Sequence, residues 1–149
     1  VKGMKWKVLD SYECIHNYVD ASPETLDTFA SPILRKGAIS AKKDERVIIP
    51  INMHDGILLG AGLGNTEWNC SAPHGSGRIM KRKDVKLNFT VSSFKSKMKG
   101  IYSSCISKDT LDEAPFAYRD LKDIADVIGE TVPIDRILRP VYNFKAGGS

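Results

Sequence analysis

The spacing of apolar residues divides the chain into an N-terminal part and a part that begins at residue 33. Over residues 5–20 several apolar residues recur at helical spacing, which predicts a helix, or an extended segment that becomes helical, ending near Asp20. Ser22, which precedes Pro23 and a glutamate, is typical of a helix start. We therefore expect mainly helical structure before residue 33.

Short apolar runs separated by polar turns follow this region. The runs cover residues 38–41, 46–50 and 57–60, and the turns between them cover residues 43–45 and 54–56. Short apolar runs bounded by turns that contain charged residues or glycine are typical of neighbouring antiparallel strands. This part of the sequence predicts a strand meander.

The remaining third of the chain mixes both kinds of element. Residues 90–99 and 115–128 have helical apolar spacing and are each followed by a glycine. Residues 101–106 and 139–144 favour strands, and Pro133 favours the start of a short helix. The whole pattern predicts an α+β fold, with short strands in a mixed or antiparallel sheet and a few helices.

Composition narrows the class of protein. The 149 residues are 42% apolar and 27% charged, as in an ordinary globular domain, and we interpret residues 1–149 as a single unit. No apolar run approaches the roughly 18 residues of a membrane span, and no signal peptide is recognisable at the N-terminus. Three cysteines without CxxC spacing are typical of a reducing compartment. These features predict a cytoplasmic protein that does not contact membranes.

Positive charge is concentrated in one stretch. The net charge is +4, and seven lysines and arginines lie within residues 81–99, where Asp84 is the one acidic residue. Such a stretch attracts the phosphates of a nucleic acid. It is also what the solvated face of a helix looks like, and the sequence leaves these two interpretations open.

A histidine in a glycine-rich turn is the first candidate for chemistry. His74 precedes the Gly-Ser-Gly sequence of residues 75–77, and Arg78 and Arg82 follow. A neutral imidazole is a competent nucleophile, glycines let backbone N–H groups approach an anion, and guanidinium groups bind phosphate oxygens. The pattern indicates covalent phosphoryl or nucleotidyl transfer. A polar surface turn with a solvated histidine is the alternative.

Five short motifs along the chain then agree on one family. They are His16-Asn17, Arg35-Lys36-Gly37-Ala38, Ser71-Ala72-Pro73-His74-Gly75-Ser76-Gly77-Arg78, Asp112-Glu113-Ala114-Pro115-Phe116-Ala117-Tyr118, and the terminal Phe144-Lys145-Ala146-Gly147. In this order they resemble the HN, RKGA, HGxGR, DEAPxAY and terminal lysine-glycine motifs of RtcB-type RNA-splicing ligases. The resemblance covers almost all of the chain and the C-terminal part of such a ligase. It implies the C-terminal portion of the RtcB-like fold.

The resemblance implies an activity with two cofactors. RtcB-type ligases join RNA that ends in a 3′-phosphate or a 2′,3′-cyclic phosphate to RNA with a 5′-hydroxyl end, and they use GTP and Mn²⁺. A histidine takes GMP from GTP and passes it to the RNA 3′-phosphate, which the 5′-hydroxyl then attacks. The RNA partner this implies is a broken or spliced RNA, with tRNA as one candidate.

The resemblance also assigns roles to individual residues. His74 is the nucleophile that carries GMP, Tyr118 stacks on guanine, and Lys145 contacts the guanine edge. The residues that it assigns to catalysis are His74, Arg78, Lys36 and Arg82. The residues that it assigns to nucleotide binding are His74, Gly75, Ser76, Gly77, Asp112, Glu113, Tyr118 and Lys145. The residue that it assigns to manganese is His16.

Parts of the family pattern are missing or altered. The family's N-terminal portion carries an Asp-x-x-Cys motif and further manganese-binding histidines, and neither an Asp-x-x-Cys sequence nor a fourth histidine occurs here. We therefore expect the chain to be inactive alone and to need a missing N-terminal portion or a complementary chain. The family's serine-methionine-glycine stretch is replaced by residues 52–57, which puts the phosphate contacts there in doubt.

Two functions stay open on the sequence. The first is the guanylylated part of an RNA ligase, and the second is a shortened relative that binds nucleotide or RNA without catalysis. Individual assignments also have structural alternatives. Tyr118 could be a core aromatic, Lys145 a free tail residue, and His16 a buried histidine with satisfied hydrogen bonds.

Overall fold

The computed structural model describes residues 3, 5 and 7–145. The predictions that involve Trp6, the extreme N-terminus and Gly147 of the terminal motif lie outside the described residues. The strands are β1 (His16–Asp20), β2 (Ile33–Ser40), β3 (Arg46–Asn52), β4 (Gly56–Ala61), β5 (Ser71–Pro73), β6 (Tyr102–Ser103), β7 (Ile134–Leu138) and β8 (Tyr142–Asn143). The helices are α1 (Pro23–Phe29), α2 (Arg82–Asn88), α3 (Val91–Lys97) and α4 (Leu121–Ile128). Short 3₁₀ turns occupy Thr66–Trp68, Leu111–Glu113 and Pro115–Ala117.

The strands form two three-stranded antiparallel sheets and one short parallel pair. The first sheet has the order β1-β2-β5, the second has the order β3-β4-β7, and β6 pairs with β8. Short antiparallel strands combined with a few helices confirm the predicted α+β fold class. The predicted meander is confirmed only for β3 and β4, which pair as antiparallel neighbours. It is wrong for β2, which belongs to the first sheet and does not pair with β3.

A buried ion pair fastens the first sheet. Arg35 on β2 donates to the carboxylate of Asp20 on β1 from both Nε and Nη2, at 3.1 and 2.8 Å. Its Nη1 donates to the carbonyl oxygens of Asn69 and Cys70 just before β5, and to Ser71 Oγ. One guanidinium thus links all three strands of the sheet from a fully buried position.

Two apolar clusters stabilise the chain on either side of the end of β3. The larger cluster packs residues of β2, β3 and β4 against α4, and includes Ile39, Ile49 and Ile128. The smaller one gathers α3 and the 3₁₀ turns around Phe94 and Met53. Because Ile51 belongs to the first cluster and Met53 to the second, β3 connects the two cores.

The helix predicted over residues 5–20 is wrong. Residues 16–20 form β1, which pairs with β2 in antiparallel register, Val19 opposite Leu34. The apolar residues that gave the helical spacing include Ile15 and Val19, and both are exposed. Their helical spacing therefore does not correspond to a buried helix face, and residues 16–20 are extended because they pair with β2.

Two predictions near the C-terminus are also corrected. The residues after Pro133 form β7 on the edge of β4, where Gly60 lets the Pro133 carbonyl approach closely. The helix predicted from Pro115 to Ile128 is two elements, because Tyr118 and Asp120 have extended backbone angles. The Asp120 side chain accepts the Asp123 N–H at 3.0 Å and so begins α4 afresh.

The start of α3 is fixed by a capping box. Thr90 is the N-cap residue, and Ser93 completes the box with it. Within the described part of the chain, none of the helices has the length and apolar character needed to cross a bilayer.

Candidate active site

A cleft of about 690 Å³ opens where the two cores meet. Its walls come from the end of β3, the loop after β5, the 3₁₀ turns and the segment from β7 to residue 145. The predicted site residues that line it are His74, Gly75, Ser76, Gly77, Arg78, Glu113, Tyr118 and Lys145. Residues that are distant in sequence thus share one wall, as the family resemblance implied.

The loop that carries His74 is held rigidly at its centre. Ser76 is buried, its hydroxyl donates to the Ile51 carbonyl at 2.8 Å, and its N–H donates to the Pro50 carbonyl at 3.1 Å. Gly77 has φ of +73°, a left-handed conformation that favours glycine. This anchoring to β3 leaves the side chain of His74 exposed at the mouth of the cleft.

The first sheet brings His16 next to His74. His16 on β1 lies opposite Ile39 on β2, which lies opposite Ala72 on β5, and the His74 N–H donates to the Gly37 carbonyl at 3.2 Å. The two imidazole rings meet edge to face with their centroids 5.2 Å apart. The alternative of a buried His16 is wrong, because its side chain is exposed.

A bulge at Asn17 sets the orientation of His16. Asn17 has φ of +59° and interrupts the β1–β2 register. The Gly37 N–H can act only as a donor, and it bonds to Asn17 Oδ1 at 3.1 Å. The Asn17 amide therefore faces His16 Nδ1 with its Nδ2, at 2.9 Å.

The described residues do not complete a manganese site. Among residues 3, 5 and 7–145, no three His, Cys, Asp or Glu side chains are grouped closely enough to hold a metal ion. Metals of this class are held by several nitrogen and oxygen ligands at once. His16 and His74 therefore supply at most part of a coordination shell, and further ligands would have to come from elsewhere.

A cluster of opposite charges borders the cleft beside Glu113 and Lys145. Arg82 at the start of α2 contacts the carboxylates of both Asp112 and Glu113. Lys86 lies 3.5 Å from Asp112, and Lys145 lies 3.6 Å from Glu113. The two carboxylates and these three cationic side chains are called the carboxylate cluster, and Arg78 is a fourth cation, 3.7 Å from Glu113.

Arg78 and Tyr118 connect this cluster to the His74 loop. The Tyr118 hydroxyl donates to Glu113 Oε2 at 2.6 Å and accepts from Arg78 Nη1 at 2.9 Å. The guanidinium of Arg78 also donates to the carbonyls of Asp112 and Met80 and lies 4.8 Å from the Tyr118 ring centroid. Because Nε and both Nη atoms of Arg78 donate hydrogen bonds, this side chain stabilises the conformation of the His74 loop.

These contacts shift three pKa values. Burial alone would raise the pKa of Glu113, but hydrogen bonds from Tyr118 and Arg82 outweigh burial and hold it below its usual range. Burial would also raise the pKa of Asp112, but the bond from Arg82, a backbone hydrogen bond and the charges of Lys86 and Arg82 together hold it below its usual range. Burial, together with the bond to Glu113, raises the pKa of Tyr118 to about 12. At neutral pH both carboxylates are therefore ionised, and Tyr118 is a neutral donor.

Four predicted site residues lie outside the cleft lining. His16 sits behind His74, Lys36 is exposed on β2 beside Gly37, and Arg82 and Asp112 form the outer part of the carboxylate cluster. The alternative that Tyr118 is a purely core aromatic is wrong, because its ring lines the cleft.

Sequence reasoning missed much of the opposite wall. Asn52 and Met53 line it at the end of β3, and Leu138, Pro140 and Asn143 line it from the C-terminal segment. Asn143 donates from Nδ2 to the Met53 carbonyl at 2.6 Å, which ties the two segments together. The departure from the family pattern over residues 52–57 was the available signal, because it marked this stretch as part of the site.

The basic stretch 81–99 is divided between paired and exposed cations. Arg82 and Lys86 on α2 are bound to the carboxylate cluster, so part of the positive charge is neutralised within the chain. The side chains of Lys81, Lys83, Lys95, Lys97 and Lys99 are exposed. The interpretation as a solvated helix face and the interpretation as a nucleic-acid surface both remain compatible with this placement.

Comparison with known proteins finds one matching family and several relatives. Residues 2–146 match a family described as tRNA-splicing ligase RtcB. An Escherichia coli protein named RNA-splicing ligase RtcB1 is 32% identical over 147 residues, which cover 97% of this chain and 35% of that protein. RNA-splicing ligase RtcB of Escherichia coli strain K12 is 32% identical over 139 residues, covering 92% and 33%.

An archaeal relative has the same partial overlap. The tRNA-splicing ligase RtcB of Aeropyrum pernix is 31% identical over an alignment of 153 positions, and the alignment covers 87% of this chain and 31% of that protein. The chain spans about a third of the length of each of these curated relatives.

Proposed function

The chain belongs to the tRNA-splicing ligase RtcB family, and from that premise we propose that it is the part of an RNA ligase that binds GTP and carries the guanylylated histidine. The single observation that carries this proposal is the cleft in which His74, Tyr118 and Lys145 meet. A pocket of this size that combines apolar walls with a few placed polar groups is typical of a nucleotide site.

In the proposed covalent step, a ring nitrogen of His74 attacks the α-phosphorus of GTP. A phosphorus–nitrogen bond forms, the bond between the α-phosphorus and the α–β bridging oxygen breaks, and pyrophosphate leaves with the electron pair. The exposure of His74 at the cleft mouth supports this role, since the nucleotide must reach it. The RNA 3′-phosphate then attacks the same phosphorus and releases the histidine.

The His74 loop supplies a place for the phosphates. The N–H groups of His74 and Ser76 already donate to Gly37 and Pro50. We assign phosphate binding to the backbone N–H groups of Gly75 and Gly77, which line the cleft and carry no side chain in the way.

The base is assigned to the other end of the cleft. The Tyr118 hydroxyl is held by Glu113 and Arg78, which fixes its ring as a face for purine stacking. Lys145 can act only as a donor, which suits the O6 acceptor of guanine and not the amino group that adenine carries at the same position. Tyr118 then holds any purine, and Lys145 selects guanine.

The complete reaction needs groups that the described residues do not provide. We propose that the remaining manganese ligands come from a further portion or a complementary chain, and that joining of 3′-phosphate or cyclic-phosphate RNA to 5′-hydroxyl RNA requires it. No step above depends on a metal held by this chain. Incubated alone with both RNA ends, GTP and Mn²⁺, the chain is expected to produce no joined RNA, and detectable joining would overturn this part of the proposal.

Equilibrium binding of GTP and ATP to the chain tests the nucleotide site. We expect GTP to bind more tightly than ATP, Tyr118→Ala to weaken both nucleotides alike, and Lys145→Ala to narrow the ratio between them. Lys122→Ala is the matched control, because Lys122 is an exposed lysine on α4 outside the cleft. A wild-type chain that binds neither nucleotide, or Lys145→Ala with its full GTP preference, would contradict the assignment.

A further inference from the structure

Exposed aromatic side chains gather on the parallel strand pair β6–β8, at the rim of the cleft. Tyr102 is 69% exposed, Tyr142 is 50% exposed, and Phe144 is 70% exposed. Aromatic rings of this size stabilise proteins mainly when they are buried, so three on one rim need an explanation. Neither the nucleotide site nor the His74 chemistry described above uses Tyr102 or Phe144.

The two tyrosines are arranged as a stack. The parallel pairing sets Tyr102 opposite Tyr142, and their rings lie nearly parallel, 21° apart, with centroids at 5.5 Å. The Tyr142 hydroxyl shares a hydrogen bond of 3.0 Å with Ser104 Oγ, which holds the pair in place. Each ring therefore keeps an outer face on which a further planar group can stack.

The stack is continuous with the cleft. Tyr142 is itself one of the lining residues. The next residue, Asn143, donates to the Met53 carbonyl and so ties β8 to the cleft wall, and the exposed Phe144 follows β8 directly. A ligand that stacks on these rings would thus extend into the site of His74.

The surroundings of the rings favour a polyanion. Arg139 lines the same cleft, Lys145 follows Phe144 directly, and Lys99 precedes Tyr102 by three residues with its side chain exposed. Stacking rings combined with nearby cations are the usual means of binding single-stranded nucleic acid, because every base has a π-face and every nucleotide a phosphate.

We propose that Tyr102, Tyr142 and Phe144 form a stacking platform for the bases of single-stranded RNA whose end enters the cleft. The direction in which the RNA runs rests on the proposed function, because that function places the reacting RNA end in the cleft. It assigns an RNA-binding role to the strand pair β6–β8, which lies outside the five family motifs.

Binding of a fluorescein-labelled ten-nucleotide oligoadenylate RNA to the full chain tests the platform. Tyr102→Leu and Tyr142→Leu should each weaken binding by about 5- to 100-fold, the range expected for a lost base-stacking contact. Tyr102→Phe should keep the affinity, because the ring remains. Val141→Ala is the matched control, since Val141 is an exposed aliphatic side chain beside the platform.

The salt dependence separates stacking from charge. A lost stacking contact lowers the affinity at every salt concentration and leaves the slope of log K against log salt unchanged, whereas a lost phosphate contact lowers the slope. Equal affinity of Tyr102→Leu and Tyr102→Phe would overturn the proposal, and so would an equal loss in Val141→Ala, which would indicate a general apolar surface for a protein partner.

The test is independent of the nucleotide site. If the wild-type chain binds GTP but Tyr102→Leu leaves the affinity for RNA unchanged, the platform is overturned and the proposed nucleotide site is not. RNA binding that depends on Tyr102 in a chain that binds no GTP supports the platform and overturns the proposed nucleotide site.

Discussion

Two groups of ion pairs in this chain use the same residue types and differ in their access to water. In the first sheet, Arg35 and Asp20 are sealed, with side-chain exposures of 0% and 5%. In the carboxylate cluster, Asp112 and Glu113 are also largely covered, but Arg82 is 64% exposed and Lys145 is 44% exposed. The sealed pair joins three strands, and the open cluster borders the cleft.

The difference indicates what each group can do. Every acceptor around Arg35 belongs to the protein, so moving that guanidinium would leave the buried Asp20 carboxylate without its two shortest hydrogen bonds, with the Ser22 N–H at 3.2 Å and Lys42 at 3.7 Å as its remaining partners. The exposed cations of the carboxylate cluster can leave their carboxylates for a phosphate at little cost, because exposed ion pairs contribute little. The first group builds the scaffold that sets His16 beside His74, and the second can exchange partners when a ligand arrives.

The largest expected effect comes from breaking the sealed pair. Arg35→Ala should lower the free energy of unfolding by about 3–5 kcal/mol, because it leaves Asp20 charged and buried. Arg82→Ala should cost no more than about 1 kcal/mol. Urea unfolding of both variants beside the wild type measures the two changes. Similar losses of stability in the two variants would contradict the claim that the sealed pair stabilises the fold more than the open cluster does.

Acid should unfold the chain through the same pair. Burial alone would raise the pKa of Asp20, but its hydrogen bonds from Arg35 and Ser22 hold the pKa well below the usual 3.8. Because the folded pKa is depressed, this stabilisation is present above the unfolded pKa and is lost as the pH falls below about 4. Asp20→Asn should flatten the fall in stability between pH 5 and pH 2, measured by urea unfolding at each pH. If the free energy of unfolding of Asp20→Asn fell as steeply between pH 5 and pH 2 as that of the wild type, groups other than Asp20 would be responsible for acid unfolding.

The open cluster should be visible in an alkaline titration. The raised pKa of Tyr118, about 12, means that its contribution to stability is present below pH 10 and is lost as the pH rises toward 12. Absorbance at 295 nm should show one phenol that titrates late, and Tyr118→Phe should remove it. In Glu113→Gln the same phenol should titrate earlier, because the negative partner is gone, and an unmoved titration would mean that burial alone sets this pKa.

The smallest expected effect distinguishes paired from exposed lysines on α2. If RNA crosses this helix, Lys83→Ala should lower the salt slope of RNA binding by roughly one, the value for one lost phosphate contact. Lys86→Ala should change it less, because Lys86 already lies against Asp112. A Lys83→Glu, Lys86→Glu variant with unchanged affinity and slope would remove the basic stretch from the RNA path.

The sequence predicted those parts of the fold in which local pattern and burial agree. Strands β3 and β4 alternate into the larger core, and their apolar runs marked them correctly. Strand β1 was mistaken for a helix for two reasons. Its apolar Val19 is exposed, and its pairing with β2 is a contact between separate segments that the local spacing of apolar residues does not reveal. The second reason applies to β7, whose place depends on the edge of β4.

The candidate site divides in the same way. The family motifs brought His74, Glu113, Tyr118 and Lys145 to attention, and they line one cleft. Arg35 was passed over beside Lys36, although it is the largest fully buried side chain of the chain's described residues. The stacked Tyr102 and Tyr142 could not be predicted, because their contact depends on a parallel pairing of two residues that are forty positions apart.

Covalent labelling of His74 tests the central claim most directly. The full protein that carries this sequence is incubated with GTP labelled at the α-phosphate and with Mn²⁺, and the labelled peptide is identified. His54→Ala is the matched control, because His54 lies on the β3–β4 turn, paired with Asp55 and outside the cleft lining. The account predicts label on the peptide that contains His74, retained in His54→Ala and absent in His74→Ala. Label that survives in His74→Ala would contradict it.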